Sequence, residues 1–203
     1  MSEREQYGFD HYDALIFDMD GTLVDSMPLH LDAWELTCAE FGIPFERDQL
    51  YQYGGIPTRK IIAMLAEQQG LTVDVEAFTR RKIALYMEHI DKVSVFPKMW
   101  ELVRHYHGKV KMGIGTGSPR NQADSILKST GLDAYISVVV SADDVTNHKP
   151  HPDTFLQVAE LLGANPANCL VFEDTRIGLE AGKAAGVSAK VGAAMAANPC
   201  STS

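Results

Sequence analysis

Four times in this chain a short apolar run of strand length breaks off into polar residues, and that recurrence limits the available folds more than any other feature. Ala14-Leu15-Ile16-Phe17 runs into Asp18-Met19-Asp20-Gly21-Thr22, and residues 110–115 run into Thr116-Gly117-Ser118. Val138-Val139-Val140 leads through Ser141-Ala142-Asp143-Asp144 to His148-Lys149-Pro150, and Cys169-Leu170-Val171-Phe172 ends in Glu173-Asp174. Between and after these runs lie helical patterns over 98–107, 122–130, 153–162 and 177–185, each followed by a glycine, which accepts the left-handed conformation that ends a helix. Strands alternating with helices predict an α/β fold, a parallel sheet with right-handed crossovers. Ligands of such sheets bind beyond the carboxyl ends of the strands, where the polar motifs fall. A last short strand is expected over 188–191, and the small, polar residues 193–203 are expected to be poorly ordered.

The opening run carries the chemistry. A buried strand that ends in two carboxylates one residue apart is costly unless the acids reach the mouth of a sheet and meet a cation. Mg²⁺ is the simplest partner, because it takes carboxylate and carbonyl oxygens and keeps some waters. For a lone Asp-x-Asp the alternative is a strand followed by a polar turn; the three other strand ends supply the remaining parts of a site.

From 26 to 93 the pattern is helical only. Residues 28–40 form one apolar-faced stretch closed by Gly42, 46–53 a shorter one, 59–69 a third with Thr58 as its N-cap and Gly70 as its stop, and 75–90 a fourth. An all-helical insert over 26–93, between the two parts of an α/β core at 1–25 and 94–203, is therefore expected. The 203 residues suffice for a core and such an insertion. A formal net charge of -9 argues against a nucleic-acid partner, whose phosphates need clustered Lys and Arg, but leaves room for one small anion. Cys38, Cys169 and Cys200 have no paired metal-ligand spacing and suggest reduced thiols in a cytoplasmic protein. The polar start, Met1 to Gln6, lacks the apolar region of a signal peptide, and no later run is long enough to span a membrane.

In order and spacing, the four strand-end motifs resemble the haloacid dehalogenase superfamily of aspartyl phosphotransferases, and the resemblance covers nearly the whole chain. It implies a Rossmannoid parallel sheet as the catalytic core, a helical cap that closes over the site and excludes water, and phosphoryl transfer through an aspartyl-phosphate. Asp18 is then the nucleophile and Asp20 the acid and base, with the Asp20 carbonyl joining Asp18 on Mg²⁺. Thr116 donates a hydroxyl to a phosphoryl oxygen and Gly117 lets backbone amides approach, while Ser118 either helps or caps the next helix. Lys149 offsets the charge on Asp18 and the phosphoryl group. Glu173 and Asp174 are the further metal carboxylates, Asp174 directly and Glu173 directly or through water. The insert resembles the cap of the β-phosphoglucomutase-like branch, in which His30 and Lys82 match positions that face the substrate, whereas Arg59 lies one place off the arginine typical there.

Within that branch the motifs look closest to the fructose-1-phosphate phosphatase type, a monomer acting on a small phosphorylated sugar, with a β-phosphoglucomutase as the alternative using the same residues. A dehalogenase of the superfamily needs neither a second acid nor a metal, and Asp20, Glu173 and Asp174 argue against it. A binding module without activity is expected to have lost at least one of Asp18, Asp20, Lys149 and Asp174, and all four are present.

Overall fold

The computed structural model describes residues 7–50, 53 and 56–191, without the side chains of Gln49 and Val191. The elements run in the order β1 (Ala14–Phe17), β2 (Val24–Asp25), α1 (Met27–Phe41), α2 (Arg47–Leu50), α3 (Thr58–Gln69), α4 (Val75–Glu88), β3 (Ser94–Val95) and α5 (Pro97–Tyr106). They continue with β4 (Lys111–Gly115), α6 (Arg120–Thr130), β5 (Val138–Val140), α7 (Asp153–Leu162), β6 (Cys169–Glu173), α8 (Arg176–Ala184) and β7 (Ser188–Val191). Five strands form one parallel sheet in the order β5-β4-β1-β6-β7, the α/β architecture expected from the alternating pattern.

Contacts divide the chain into two units, one drawn from Met1–Asp25 and Ser94–Ser203, the other from Ser26–Val93. In the first unit β1 lies at the centre of the sheet, and all four of its side chains are buried, as a strand covered on both faces requires. Ile16, Val140, Phe155, Val158 and Val171 share one core cluster, with α7 packed over β1, β4 and β5. Phe17 stacks on Phe172 of the neighbouring strand, with ring centroids 5.1 Å apart. β2 and β3, the stretches on either side of the helical insertion, pair antiparallel through Val24 with Val95 and Asp25 with Ser94.

In the helical unit α1 and α4 pack together and α3 packs on α4, around Leu31, Trp34, Ile61, Ile62, Leu65 and Phe78. Trp34 and Phe78 lie 5.2 Å apart between ring centroids. No strand occurs in it among the described residues.

Several boundaries differ from those read in the sequence. Thr58 is the first residue of α3 and not its cap; the extended Pro57 takes the cap position, with no side-chain capping bond of its own. The side-chain cap expected there appears instead on α4, where Asp74 accepts from the Ala77 amide at 2.9 Å. α4 stops at Glu88, because His89 leaves the helical region before a short 3₁₀ turn over Ile90–Lys92. The second candidate helix contracts to Arg47–Leu50; residues 51, 52, 54 and 55 lie outside the described residues. Gly131 and Gly163 cap α6 and α7 in the left-handed conformation as expected. Gly108 and Gly186 adopt it one residue later, after an extended His107 and a still-helical Ala185. The C-terminal residues 192–203 lie outside the described residues.

Candidate active site

The site is assembled where β1, β4, β5 and β6 end. The Asp18 amide donates to the Phe172 carbonyl at 2.9 Å, so the ladder between β1 and β6 runs one residue past the strand and carries Asp18 with it. After Asp18 the chain must turn at once. The amides of Leu23 and Val24 both return to the Met19 carbonyl at 3.0 Å, and Gly21 sits at φ 83°, in the left-handed region that glycine adopts freely. A Cβ at Gly21 would also overlap the Asp174 carboxylate, so glycine serves here twice. Beside it the Thr22 hydroxyl donates to Asp174 Oδ1 at 2.9 Å and ties the turn to the end of β6.

Lys149 links the acids. Its Nζ donates to Asp18 Oδ1 at 2.6 Å and to Glu173 Oε1 at 2.9 Å, with the Lys149 side chain only 8% exposed. The other oxygen of Glu173, Oε2, accepts from the Thr175 amide at 2.6 Å and from the Thr175 hydroxyl at 2.9 Å. The Glu173 carboxylate lies where a Cβ of Gly178 would be, so the first turn of α8 admits the acid only because that residue is glycine. Neither Thr175 nor Gly178 is visible as a site residue in the sequence; a Glu-Asp pair followed by a hydroxyl and a small residue three further on is the only trace.

Asp20 has a different partner. The Ser118 hydroxyl donates to Asp20 Oδ2 at 2.6 Å, and the Ser118 amide donates to the Thr116 hydroxyl oxygen at 3.0 Å. The loop itself is pinned from β5: the Thr116 amide donates to the Val140 carbonyl at 2.9 Å, and the Ala142 amide to the Ser118 carbonyl at 3.0 Å. The cap position of α6 falls on Pro119, so of the two expectations for Ser118 the helix cap does not hold. Around Gly117 nothing lies within 4 Å of the place a Cβ would take, which leaves its backbone open to a ligand.

Charge in this cluster is unbalanced. One oxygen from each of Asp18, Glu173 and Asp174 lies within 4.8 Å of the others, so three carboxylates face the single Lys149 ammonium. Burial, together with the charges of Glu173 and Asp174, pushes the Asp18 carboxyl well above the usual range despite Lys149. Burial and Glu173 push Asp174 up to about 6 against the Thr22 hydrogen bond. Desolvation works against the Lys149 ammonium, but Asp18 and Glu173 outweigh it and raise its pKa. Excess negative charge on hard oxygen donors in a dry site fits a divalent cation such as Mg²⁺, with Asp18 and Asp174 the better placed ligands because Glu173 already carries three protein donors.

The remaining residues singled out in the sequence lie in the helical unit. Lys82, 3% exposed, has its Nζ 2.8 Å from His30 Nδ1 and 5.1 Å from the centre of the Tyr86 ring. With Lys82 taken as an ammonium, which only donates, Nδ1 is assigned as the acceptor and the imidazole proton to Nε2. His30 also stacks on Tyr86, with ring centroids 4.2 Å apart. Arg59 is not part of this group; its guanidinium pairs with Glu76 at 2.6 Å, and its side chain is 64% exposed.

Comparison with known proteins agrees with this architecture. Residues 15–191 match the haloacid dehalogenase-like hydrolase family, and the chain belongs to it: it is an enzyme of that family. It is 37% identical to the fructose-1-phosphate phosphatase YqaB of Escherichia coli (strain K12), over 89% of this chain and 96% of that protein. It is 33% identical to a phosphorylated carbohydrates phosphatase of Thermotoga maritima, over 86% of this chain and 82% of that one. A β-phosphoglucomutase of Bacillus subtilis (strain 168) is 28% identical, over 87% of this chain and 81% of its own length.

Proposed function

We propose that this enzyme is a Mg²⁺-dependent phosphatase that hydrolyses a small sugar monophosphate, of the fructose 1-phosphate kind, through an aspartyl-phosphate on Asp18. The observation that carries the reading is that two carboxylates one residue apart have different partners. Asp18 is held by the Lys149 ammonium and Asp20 by the Ser118 hydroxyl, as a nucleophile and a separate acid–base would be. A carboxylate oxygen of Asp18 attacks phosphorus while the bond from phosphorus to the sugar oxygen breaks, and Asp20 delivers its proton to that oxygen. The sugar leaves as an alcohol. Asp20, now a carboxylate, takes a proton from water, whose oxygen attacks phosphorus; the bond to Asp18 breaks and inorganic phosphate departs. Thr116 and the Gly117 backbone are assigned to the phosphoryl oxygens, and Lys149 balances the charge gathered there. Mg²⁺ held by Asp18, Asp174 and the Asp20 carbonyl, with Glu173 near it, supplies further charge neutralisation when bound.

The catalytic core in this reading is 1–25 with 94–203, and 26–93 is the cap, where His30 and Lys82 recognise the sugar. Arg59 is engaged by Glu76 at an exposed position, which favours hydrolysis over the mutase, since a bisphosphate intermediate needs a cationic grip on a second phosphate. The similarity to the E. coli phosphatase, greater than that to the B. subtilis mutase, points the same way. We place the enzyme in the cytoplasm as a monomer with no nucleic-acid partner. Among the described residues Cys38 and Cys169 are buried free thiols, and no helix is long and apolar enough to cross a membrane.

The test is phosphate release across sugar phosphates, with Mg²⁺ and with excess chelator. Turnover is expected on a ketose or aldose monophosphate with Mg²⁺ only, and full activity in chelator rejects the metal. Incubation with β-glucose 1-phosphate and a trace of glucose 1,6-bisphosphate separates the two readings: rapid glucose 6-phosphate with little free phosphate makes the enzyme a mutase.

A further inference from the structure

Lys149 has a third neighbour that no motif announces. Its Nζ stands over the face of the Phe155 ring, 4.6 Å from the centroid. Phe155, in α7, is fully buried and belongs to the core cluster that includes Ile16 and Val140. Its place is set by β4: a Cβ on Gly115 would come within 3.1 Å of the ring Cδ1 and 3.3 Å of Cε1, so the strand leaves a notch in which the ring sits. Gly115 is also the residue just before Thr116, and it pairs with Val140 in the ladder. The strand that positions the phosphoryl-binding loop therefore positions the ring as well.

The ammonium of a lysine side chain only 8% exposed has few ways to be held. Two of the three Lys149 donors go to Asp18 and Glu173. A chain of four methylenes is flexible, and the third acid of the cluster, Asp174, lies close to the other two. The negative face of an aromatic ring attracts a cation without accepting its charge, and it does so most strongly where water is excluded. A Leu of similar volume would pack but would not attract.

Resting on the phosphatase reading, we propose that Phe155, seated in the Gly115 notch, is a positioning residue that fixes the Lys149 ammonium between Asp18 and Glu173 by a cation–π contact. The ring is fully buried, and it acts through Lys149.

The test replaces Phe155 in the full-length enzyme by 4-fluoro-, 3,5-difluoro- and 3,4,5-trifluorophenylalanine, which drain the ring face while nearly preserving its shape, and separately by Leu. The readouts are kcat and KM for p-nitrophenyl phosphate with Mg²⁺, and crystal structures of the Phe155→Leu and trifluorinated enzymes. Stepwise loss of kcat with each fluorine is expected, together with a loss of about tenfold for Phe155→Leu (~1.4 kcal/mol), with KM within about twofold of wild type. A pure packing role predicts no trend with fluorination, and a flat series in an enzyme that turns over overturns the proposal while leaving the phosphatase reading intact. If the unsubstituted enzyme releases no phosphate from sugar or aryl phosphates, the phosphatase reading fails, and the crystal structures decide this one. Nζ displaced from Asp18 or Glu173 supports it, and Nζ unmoved overturns it. Should Phe155→Leu fail to fold, the near-isosteric trifluorinated enzyme carries the same comparison.

Discussion

Two ion pairs of the same length, one in each unit, show how little distance alone says about a charge. Lys149 and Asp18 are 2.6 Å apart with side chains 8% and 9% exposed; Arg59 and Glu76 are also 2.6 Å apart, with side chains 64% and 52% exposed. The second pair is solvated on both sides, screened by salt and replaceable by water, as are Arg81 with Glu40 and Arg47 with Asp32 in the same unit. The first has given up its water and is held by a lattice of fixed partners: Glu173 with Thr175 behind it, and the Phe155 ring beneath. A dry pair placed beside two further acids is an arrangement kept at a cost in stability, and such costs concentrate where a protein does chemistry. Lys82 combines the two settings, buried beside His30 in a unit whose described ion pairs are on the surface.

Substitutions graded along this contrast give effects of graded size. The largest is expected at Asp18→Asn, which removes the proposed nucleophile and with it phosphate release, by on the order of 10⁴-fold or more, while a melting curve shows no loss of stability because a buried excess charge has gone. Trapped phosphate found on another residue by mass spectrometry would break the assignment. Lys149→Ala comes next, since it strands the Asp18 and Glu173 carboxylates in a dry site. Urea denaturation in chelator should show a loss of about 3 kcal/mol, smaller when Mg²⁺ is present to share the charge. A loss no greater than that of a surface pair would mean the site is wetter than its burial implies. Lys82→Ala is expected to be selective, slowing sugar phosphates by about tenfold but an aryl phosphate by less than about threefold, because a good leaving group needs less positioning. Equal losses on both substrates would place Lys82 with the catalytic machinery. Smallest of all is Arg81→Ala, which removes a two-pronged but solvated contact with Glu40; the thermal midpoint should move by about 2 °C or less and kcat not at all.

Much of the site was legible in the linear order of residues because its parts sit at strand ends, where an apolar run stops and a polar motif begins. Asp18, Thr116, Glu173 and Asp174 follow that rule, Lys149 comes later in the loop between β5 and α7, and the parallel sheet brings neighbouring ends together. The same local physics placed the left-handed glycines at 42, 70, 131 and 163. It misplaced Thr58, which already lies inside the helix, with the extended Pro57 at the boundary before it. It also left Ser118 open between two roles, since a hydroxyl before a helix serves either one.

What residue order determined by itself was the alternation of strand and helix, the helical character of the insert, and the kinds of group available for phosphoryl chemistry, because each depends on periodicity and residue type within a few positions. Only the tertiary structure decided which groups meet. The Ser118 hydroxyl reaches Asp20 across 98 positions, Thr22 reaches Asp174 across 152, and Lys149 reaches Asp18 across 131. Gly115, Phe155 and Gly178 acquire their roles the same way, as a notch, a ring face and a missing Cβ that mean nothing until another element packs against them. Contacts of this kind depend on close packing between elements distant in the chain, and no local pattern encodes a shape that two segments make together.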